Sequence, residues 1–586
     1  MNEEPKSIWK KSLTGWCILS VVALLLAFAG FLAALASSLF HFDNSKLFGL
    51  SFFVNWLILT IGAAATFLVL ILLFRFIRWL YCWRNFKRFL FAVACLATLI
   101  ALFYAEEDWR GKHAWETFKR EWEAKGERFD RASVVPPPVP DDQNFALTPI
   151  VFTSYGQLLT RDGKFIPWAE RDTNFVNRLQ VNIGGPQPWP TNGDWRLARV
   201  SDLSAWQQYY RALAAKTNQF PVPPQPVSPA ADVLFALGKY DSTIEELRQA
   251  GQLPDSRFPL EYDKDDPAAM LLPHLAPLKN CAQVLQLRAL AELQNGQSDR
   301  ALADVKLILR LADSLRSEPI LISQLVRAAL VNLALQPIWE GLRQRQWSDA
   351  QLIELGNDLA KTDFLAASEL ALRGERIWGV EIIEYLRHLT YRERLRTLSA
   401  FGSNLKLEDE IFLCLGPAGW FDQSELRISR FLLRHYSPVV NLDRQIVSPV
   451  AVRNADEAFG AEVGHSGNGN FFERLLLSAA GNVVEKLACG QNAVNLARTA
   501  CALERYRLAH GQYPESLDAL VPQFIAQPLH DVINGQPLHY RRTNDGQFVL
   551  YSVGWNETDD GGEVGFTKQG GLDISTGDWV WQYPQK

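Results

Sequence analysis

The first 104 residues contain three long apolar runs, Trp16–Phe40, Ser51–Phe74 and Phe89–Tyr104, that are uncharged or nearly so. A membrane-spanning helix needs about 20 apolar residues, and the first two runs exceed that length. The third run is shorter, but Lys87 and Arg88 at its start can snorkel to the headgroups. We therefore predict three transmembrane helices within residues 1–104. The alternative for the third run is a buried or interfacial helix.

Basic residues in short loops predict the orientation of these helices, because cationic loops are retained in the cytoplasm. Lys6, Lys10 and Lys11 precede the first run, and five basic residues lie between the second and third runs: Arg75, Arg78, Arg84, Lys87 and Arg88. We expect a multi-pass protein of the cytoplasmic (inner) membrane, with its N-terminus in the cytoplasm and its large C-terminal region extracytoplasmic. The first run also resembles a signal peptide, and its removal would leave this topology unchanged.

Residues 105–143 predict an amphipathic juxtamembrane helix followed by a proline-rich linker. Trp115, Phe118 and Trp122 lie on one face of the helix. That face fits either an interfacial membrane anchor or packing against the protein's own core, and the pattern leaves both open. The prolines between Val134 and Asp142 predict an extended connector.

The chain then changes from irregular to helical periodicity. Residues 144–200 carry short apolar runs among Gly and Pro, which predicts a mixed region of strand and coil. Residues 201–470 predict a helical domain, in which Asp202 is an N-cap and Gly296 joins the two helices of a hairpin. The segment Leu290–Leu302 resembles the turn of a tetratricopeptide repeat, but no 34-residue period follows. We therefore predict irregular helical hairpins.

Residues 471–586 predict a long helix followed by a small sheet. The apolar face of the helix runs from Val494 to Leu508, and Gly511 is a natural left-handed cap. Strands are expected at Leu538–Arg541 and Gln547–Val553, with Trp579 and Trp581 covering the sheet. The predicted fold class is thus a multi-pass α-helical membrane region, a mainly α-helical soluble domain and a small α+β module with an antiparallel sheet.

Composition removes several classes of function. The 586 residues carry a net charge of −5, whereas a nucleic-acid binder needs a dense basic face, so we expect no nucleic-acid partner. The seven cysteines form no CxxC pair, which argues against a zinc site. The motifs HExxH, GxxxxGK[ST] and GxGxxG are absent, and no catalytic or cofactor-binding residues are assigned. The sequence leans against an enzyme.

The last ninety or so residues carry a set of short motifs, which are Leu503-Glu504-Arg505-Tyr506-Arg507, Gly511-Gln512-Tyr513-Pro514, Leu517, Leu520-Val521-Pro522, Asn534-Gly535, Tyr540, Tyr551-Ser552-Val553-Gly554, Gly561-Gly562 and Leu572-Asp573-Ile574. As a set, these motifs resemble the globular domain of the major pseudopilins of type II secretion systems. The resemblance implies an extracytoplasmic module with a link to secretion. The helix before the sheet follows Phe471 and Phe472 and has no pilin leader, so we do not expect processing or polymerisation as a pilin.

The same resemblance implies a calcium site in the loop after the Tyr-Ser-x-Gly strand. Carried over to this chain, the candidate ligands are Asn556, Asp559, Asp560 and Asp573, all hard oxygen donors of the kind that calcium prefers. Asn556 stands where the family usually has aspartate, and the stretch from Gly562 to Leu572 is longer than in the family. The alternative is a solvated acidic turn without an ion.

The first functional hypothesis is a non-enzymatic envelope protein that acts as a scaffold or adaptor in envelope assembly or secretion. Its expected partners are the lipid bilayer and other envelope proteins. Two alternatives come from other classes: a membrane-anchored hydrolase with a site built from residues remote in sequence, and a receptor that binds a small molecule in the helical domain.

Overall fold

The computed structural model describes residues 68–69, 71–155, 158–162, 164–166, 170, 177–185, 188–263, 266–400, 405–465, 470–477 and 480–584. The fold is mostly helical and has a small antiparallel sheet at the C-terminus, as the sequence predicts. The chain divides into two compact units, Met1–Phe103 and Tyr104–Lys586.

The helices described here are numbered in chain order, and residues 71–80 before them are also helical. They are α1 Trp83–Glu123, α2 Pro149–Phe152, α3 Leu203–Ala214, α4 Pro229–Leu237, α5 Asp241–Ala250, α6 Leu275–Gln294, α7 Ser298–Asp313, α8 Leu321–Arg343, α9 Asp349–Ala360, α10 Phe364–His388, α11 Tyr391–Ala400, α12 Leu407–Leu415, α13 Ala418–Phe431, α14 Pro449–His465, α15 Phe471–Leu477 and α16 Ala480–His510.

Two of the described helices, α1 and α8, are long and apolar enough to cross a membrane. None of the 18 residues in the apolar part of α1 is buried, and α1 contains the third predicted span, Phe89–Tyr104. In the apolar 18-residue stretch of α8, 56% of the residues are buried. Polar side chains such as Gln336 also form hydrogen bonds inside the fold, so we treat α8 as a core helix. The predicted span Trp16–Phe40 and most of Ser51–Phe74 lie outside the described residues, and a multi-pass membrane region stays a prediction.

The second unit, Tyr104–Lys586, is called the body below. Capping residues begin and end its helices where the sequence predicts. The Asp202 side chain accepts hydrogen bonds from the amides of Ser204 and Ala205, so it caps α3 as predicted. Gly296 has φ = 73° in the short turn between α6 and α7, which is the left-handed conformation that glycine adopts at least cost. The predicted hairpin around Gly296 is confirmed.

The second half of α1 packs on the helical body. Trp115 and Phe118 are buried against Leu426 and Leu433 of α13 and its extension. Of the two alternatives for this face, the structure selects packing on the protein's own core over an interfacial anchor. The sequence allowed both because an apolar stripe has the same spacing in either setting.

Helix α16 lies at the centre of the body and contacts α8, α9, α10 and α14. It ends one residue before Gly511, which has φ = 80°, so the predicted helix end is confirmed. Trp581 is fully buried, its ring centre lies 5.1 Å from that of Trp195, and Trp339 donates its indole N–H to the Gln582 carbonyl. The C-terminal module and the helical domain therefore share one hydrophobic core.

The strands are β1 Val440–Asn441, β2 Ile446–Val447, β3 His539–Arg542, β4 Phe548–Ser552, β5 Val564–Phe566, β6 Leu572–Gly577 and β7 Trp579–Trp581. β4 is the middle strand of an antiparallel sheet ordered β3-β4-β7, with Tyr540 opposite Leu550 and Leu550 opposite Trp581. β5 and β6 form a separate antiparallel pair. The two predicted strands correspond to β3 and β4.

Residues 144–200 contain less regular structure than the expected mixture of strand and coil. Their described parts hold the short helix α2, single turns and isolated bridges such as Leu159–Phe165, and no named strand. The proline-rich connector is extended but lies against the body, since Val134 is buried and Arg257 donates to the Pro136 carbonyl. Six cysteines are described, and all six are free thiols.

Candidate functional site

The predicted calcium loop follows β4 and makes a tight series of turns. Gly554, Glu557, Gly561 and Gly562 all have positive φ. A Cβ at Gly554 would overlap the Gly577 backbone, so glycine is required there both by conformation and by the close approach of the chain that leads to β7.

The candidate ligands of this loop are already bound to one another or to neighbouring groups. The Asn556 amide nitrogen donates to Asp560 at 2.8 Å. Asp559 accepts from the Tyr551 hydroxyl at 3.1 Å and from the Gly561 amide at 2.9 Å. These hydrogen bonds hold the pKa of Asp559 below its usual value, with the Gly561 amide as the largest cause.

Asp573, the fourth candidate, is the second residue of β6 and has different surroundings. Its carboxylate accepts the Ser575 amide at 3.0 Å. Its charge also adds to the raised pKa of Glu485 of α16, of which burial is the largest cause. No contact between Asp573 and the other three candidates is found among the described residues. The structure brings Asn556, Asp559 and Asp560 into one turn and leaves Asp573 outside it.

The residue that organises this loop is Asp578, which the sequence analysis did not select. It is 2% exposed, and its two carboxylate oxygens accept the amides of Asp560 and Gly562 at 3.2 and 2.6 Å. Burial raises its pKa, which these amide hydrogen bonds partly oppose. One signal was present in the sequence: Asp578 is an acid between Gly577 and Trp579, where a buried strand begins.

This geometry bears on the metal prediction. Calcium needs several oxygen ligands around one point. Here the Asn556 amide nitrogen donates to Asp560, and the buried Asp578 carboxylate accepts the Gly562 amide of the loop. Within the described ranges, no group of three or more His, Cys, Asp and Glu side chains could hold a metal ion. The four-residue ligand set is therefore not assembled in this arrangement.

A second feature is the apolar surface of α1. From Trp83 to Phe103 its large side chains are mainly exposed, among them Phe91 at 72% and Leu99 at 64%. An exposed apolar surface that extends all around a helix is typical of a lipid-facing segment.

Helix α12 carries a third unusual surface. Leu407, Ile411, Cys414 and Leu415 lie on one face and are all exposed, whereas Phe412 and Leu413 face the core. The Tyr104 hydroxyl donates to the Leu415 carbonyl, so the end of α12 lies beside the last residue of the predicted third span. The exposed face of α12 is called the α12 stripe below.

The hydrolase alternative requires acidic side chains that lie close together. Such a group is present, but its acids form ion pairs with arginines. Asp304 is fully buried and binds Arg248 at 2.8 Å and Arg288 at 3.0 Å. Burial, together with Asp304, raises the pKa of the neighbouring Glu292 to about 8. These groups join α5, α6 and α7, and we read them as a structural ion network.

No family model, no curated protein and no solved structure matches this chain.

Proposed function

We propose that this chain is a non-enzymatic membrane protein of the cell envelope that holds a folded scaffold at the membrane surface. The observation that carries the proposal is the continuity of α1. One unbroken helix runs from an exposed apolar segment into the body at Trp115 and Phe118. The same helix therefore carries both a segment that is apolar enough to cross a bilayer and a face that packs in the body.

The α12 stripe supports the same proposal. We propose that it lies in the membrane interface as a short amphipathic helix, because its C-terminal end is hydrogen-bonded to Tyr104. The preceding α11 contributes exposed Arg392 and Arg396, which are the residues that attract anionic headgroups. The body would then contact the bilayer surface through α12.

The orientation and the partners rest on the sequence. Basic residues before the first apolar run and in the loop before the third favour an extracytoplasmic body at the inner membrane. The pseudopilin resemblance favours other envelope proteins, especially secretion components, as partners. The C-terminal module packs against α16 and Trp339. We therefore propose that it is part of the scaffold.

Calcium stays a proposal for the turn of Asn556, Asp559 and Asp560. Binding requires the Asn556 amide to turn its oxygen toward the ion and release Asp560. The test is the melting temperature of the full chain in detergent with calcium and with a chelator. The resemblance predicts a rise with calcium that Asp560→Asn removes. Equal melting temperatures in the two buffers would leave the loop as a solvated acidic turn.

The scaffold role is tested by cross-linking in intact cells, purification through a C-terminal tag and mass spectrometry of the captured proteins. The matched control is the same tagged chain without cross-linker, which removes partners that bind only after lysis. Enrichment of pseudopilins, a secretin or their assembly proteins supports a secretion-linked scaffold. Efficient cross-linking to none of these proteins would contradict the secretion link.

A further inference from the structure

A cavity of about 540 Å³ lies along α7, between α5 and α9, and reaches the beginning of α8. Small-molecule sites commonly have volumes of about 300 to 1,000 Å³. Its lining is strongly charged, which distinguishes it from a defect in the apolar core. None of the candidate ligand residues named in the sequence analysis lines it.

Arg327 of α8 lies at one end of this cavity and is the residue that calls for an explanation. It is 2% exposed, and its guanidinium stacks on the Phe364 ring at 5.1 Å. Its Nε has no hydrogen-bond partner among the described residues. Its Nη1 reaches only two neutral acceptors, Gln324 and the Asp363 carbonyl, both at 3.4 Å. A buried guanidinium is costly unless it is paired.

The other charged residues around the cavity already have partners. Lys306 binds Glu354 at 2.5 Å, and Lys361 binds Asp358 at 2.7 Å. Arg310 donates to backbone carbonyls and lies 3.7 Å from Asp313. These pairs account for the carboxylates of Glu354, Asp358 and Asp313, and none of the described carboxylates forms an ion pair with Arg327 within 4 Å.

Arg376 shows what a structural buried arginine looks like in the same protein. It is also 2% exposed and stacks on an aromatic ring, that of Phe129. Its guanidinium, however, forms an ion pair with Glu127 at 2.7 Å. Arg327 has the same burial and the same ring contact, with a cavity in the place of the carboxylate.

We propose that this cavity binds a small molecule bearing a carboxylate or phosphate group, which pairs with the Arg327 guanidinium. The planar fork of arginine matches both oxyanions in a bidentate geometry. The inference goes beyond the scaffold role, because it gives the helical body a ligand of its own. A ligand there would contact α7, α8 and α9 together.

The test is isothermal titration of the full-length protein in detergent with citrate and, separately, with inorganic phosphate, at ionic strength matched with sodium chloride. We expect heat of binding from at least one probe. Arg327→Met should weaken binding by about tenfold or more, the cost of losing a charge-assisted pair. Comparing the two probes distinguishes a carboxylate site from a phosphate site.

Arg316→Met is the matched control, because Arg316 is a nearby arginine with 61% side-chain exposure that binds Asp313 and does not line the cavity. It removes the same charge, so diffuse electrostatics would weaken binding equally in both variants. Arg327→Met should also melt, without ligand, at or above the wild-type temperature, since an unpaired buried charge is lost. A purely structural Arg327 predicts a lower melting temperature.

Two results would overturn the proposal: binding that is the same in wild type and Arg327→Met, or no binding of either probe to the wild type. If Arg327→Met does not fold, Arg327→Lys decides the question. It keeps the charge but loses the fork, so weaker binding supports the site and unchanged binding contradicts it.

Discussion

Gly111 of α1 and Gly419 of α13 meet backbone to backbone, with no side chain between them. A Cβ on either glycine would overlap the backbone of the opposite helix. The Asp108 carboxylate accepts the Gly419 amide at 2.8 Å, and Glu107 accepts the Trp420 indole N–H at 3.0 Å. This crossing fixes the second half of α1 against α13.

The crossing predicts that Gly419→Val will be destabilising. The added side chain has to separate the two helices, and overpacking of this kind costs about 1 to 3 kcal/mol. We expect a lower free energy of unfolding for the body in denaturant titrations of the detergent-solubilised chain. Gly356→Ala is the control, because Gly356 lies in α9 with open space around it and alanine is the better helix former. Equal stability of wild type and Gly419→Val would contradict the close crossing.

The α12 stripe predicts a contact with lipid that can be measured at a native residue. After Cys17, Cys82 and Cys95 are replaced by serine, an environment-sensitive fluorophore on the exposed Cys414 should be quenched by spin-labelled lipid in proteoliposomes. The physical reason is that an amphipathic helix buries its apolar face at the headgroup boundary.

The comparison for the Cys414 label is the same label attached at position 515 after Glu515→Cys and Cys414→Ser, because the Glu515 side chain is 88% exposed. We expect little quenching at Glu515. Equal quenching at both positions, or none at Cys414, would show that the α12 stripe does not lie in the interface.

The features that are predictable from the sequence are the ones that depend on neighbours along the chain. Asp202 caps α3 and Gly511 ends α16 because both effects act over a few residues. Two other features depend on residues that are far away in sequence. They are the surface against which the Trp115 face packs and the role of Asp578. The core shared by Trp195 and Trp581 was missed for the same reason.

Glu425 of α13 predicts a pH dependence of stability. Burial raises its pKa to about 9 from 4.5, with Arg387 opposing the shift. Between these two values the folded protein holds a proton that the unfolded chain has released, so the free energy of unfolding falls as pH rises through this window. One such proton contributes a slope of up to about 1.4 kcal/mol per pH unit.

Glu425→Gln should flatten this slope and raise stability at neutral pH, because a neutral amide replaces a carboxyl that is costly to ionise. The measurement is chemical denaturation at pH values across the window. Glu369→Gln is a control on α10, with a side chain that is 42% exposed, and should keep the wild-type slope. A wild-type slope in Glu425→Gln would assign the dependence to other groups.

Asp578 predicts that the loop after β4 depends on a buried carboxylate. Asp578→Asn keeps one acceptor oxygen but places an amide NH₂ against either the Asp560 or the Gly562 amide, which needs an acceptor, and an unsatisfied buried donor costs about 1 to 3 kcal/mol. With a chelator present, so that calcium plays no part, Asp560→Asn, at an exposed position, should change stability by no more than about 0.5 kcal/mol. Denaturant titrations of the two variants give the comparison, and equal losses would contradict the role of Asp578.

The central claim is that a membrane helix holds the body on the extracytoplasmic face. Its most direct test is protease digestion of a C-terminally tagged chain in intact spheroplasts and in inverted membrane vesicles. We predict that the tag is lost in spheroplasts and protected in inverted vesicles, with the full chain in the membrane fraction of both. Protection in spheroplasts and loss in inverted vesicles would place the body in the cytoplasm and contradict the account.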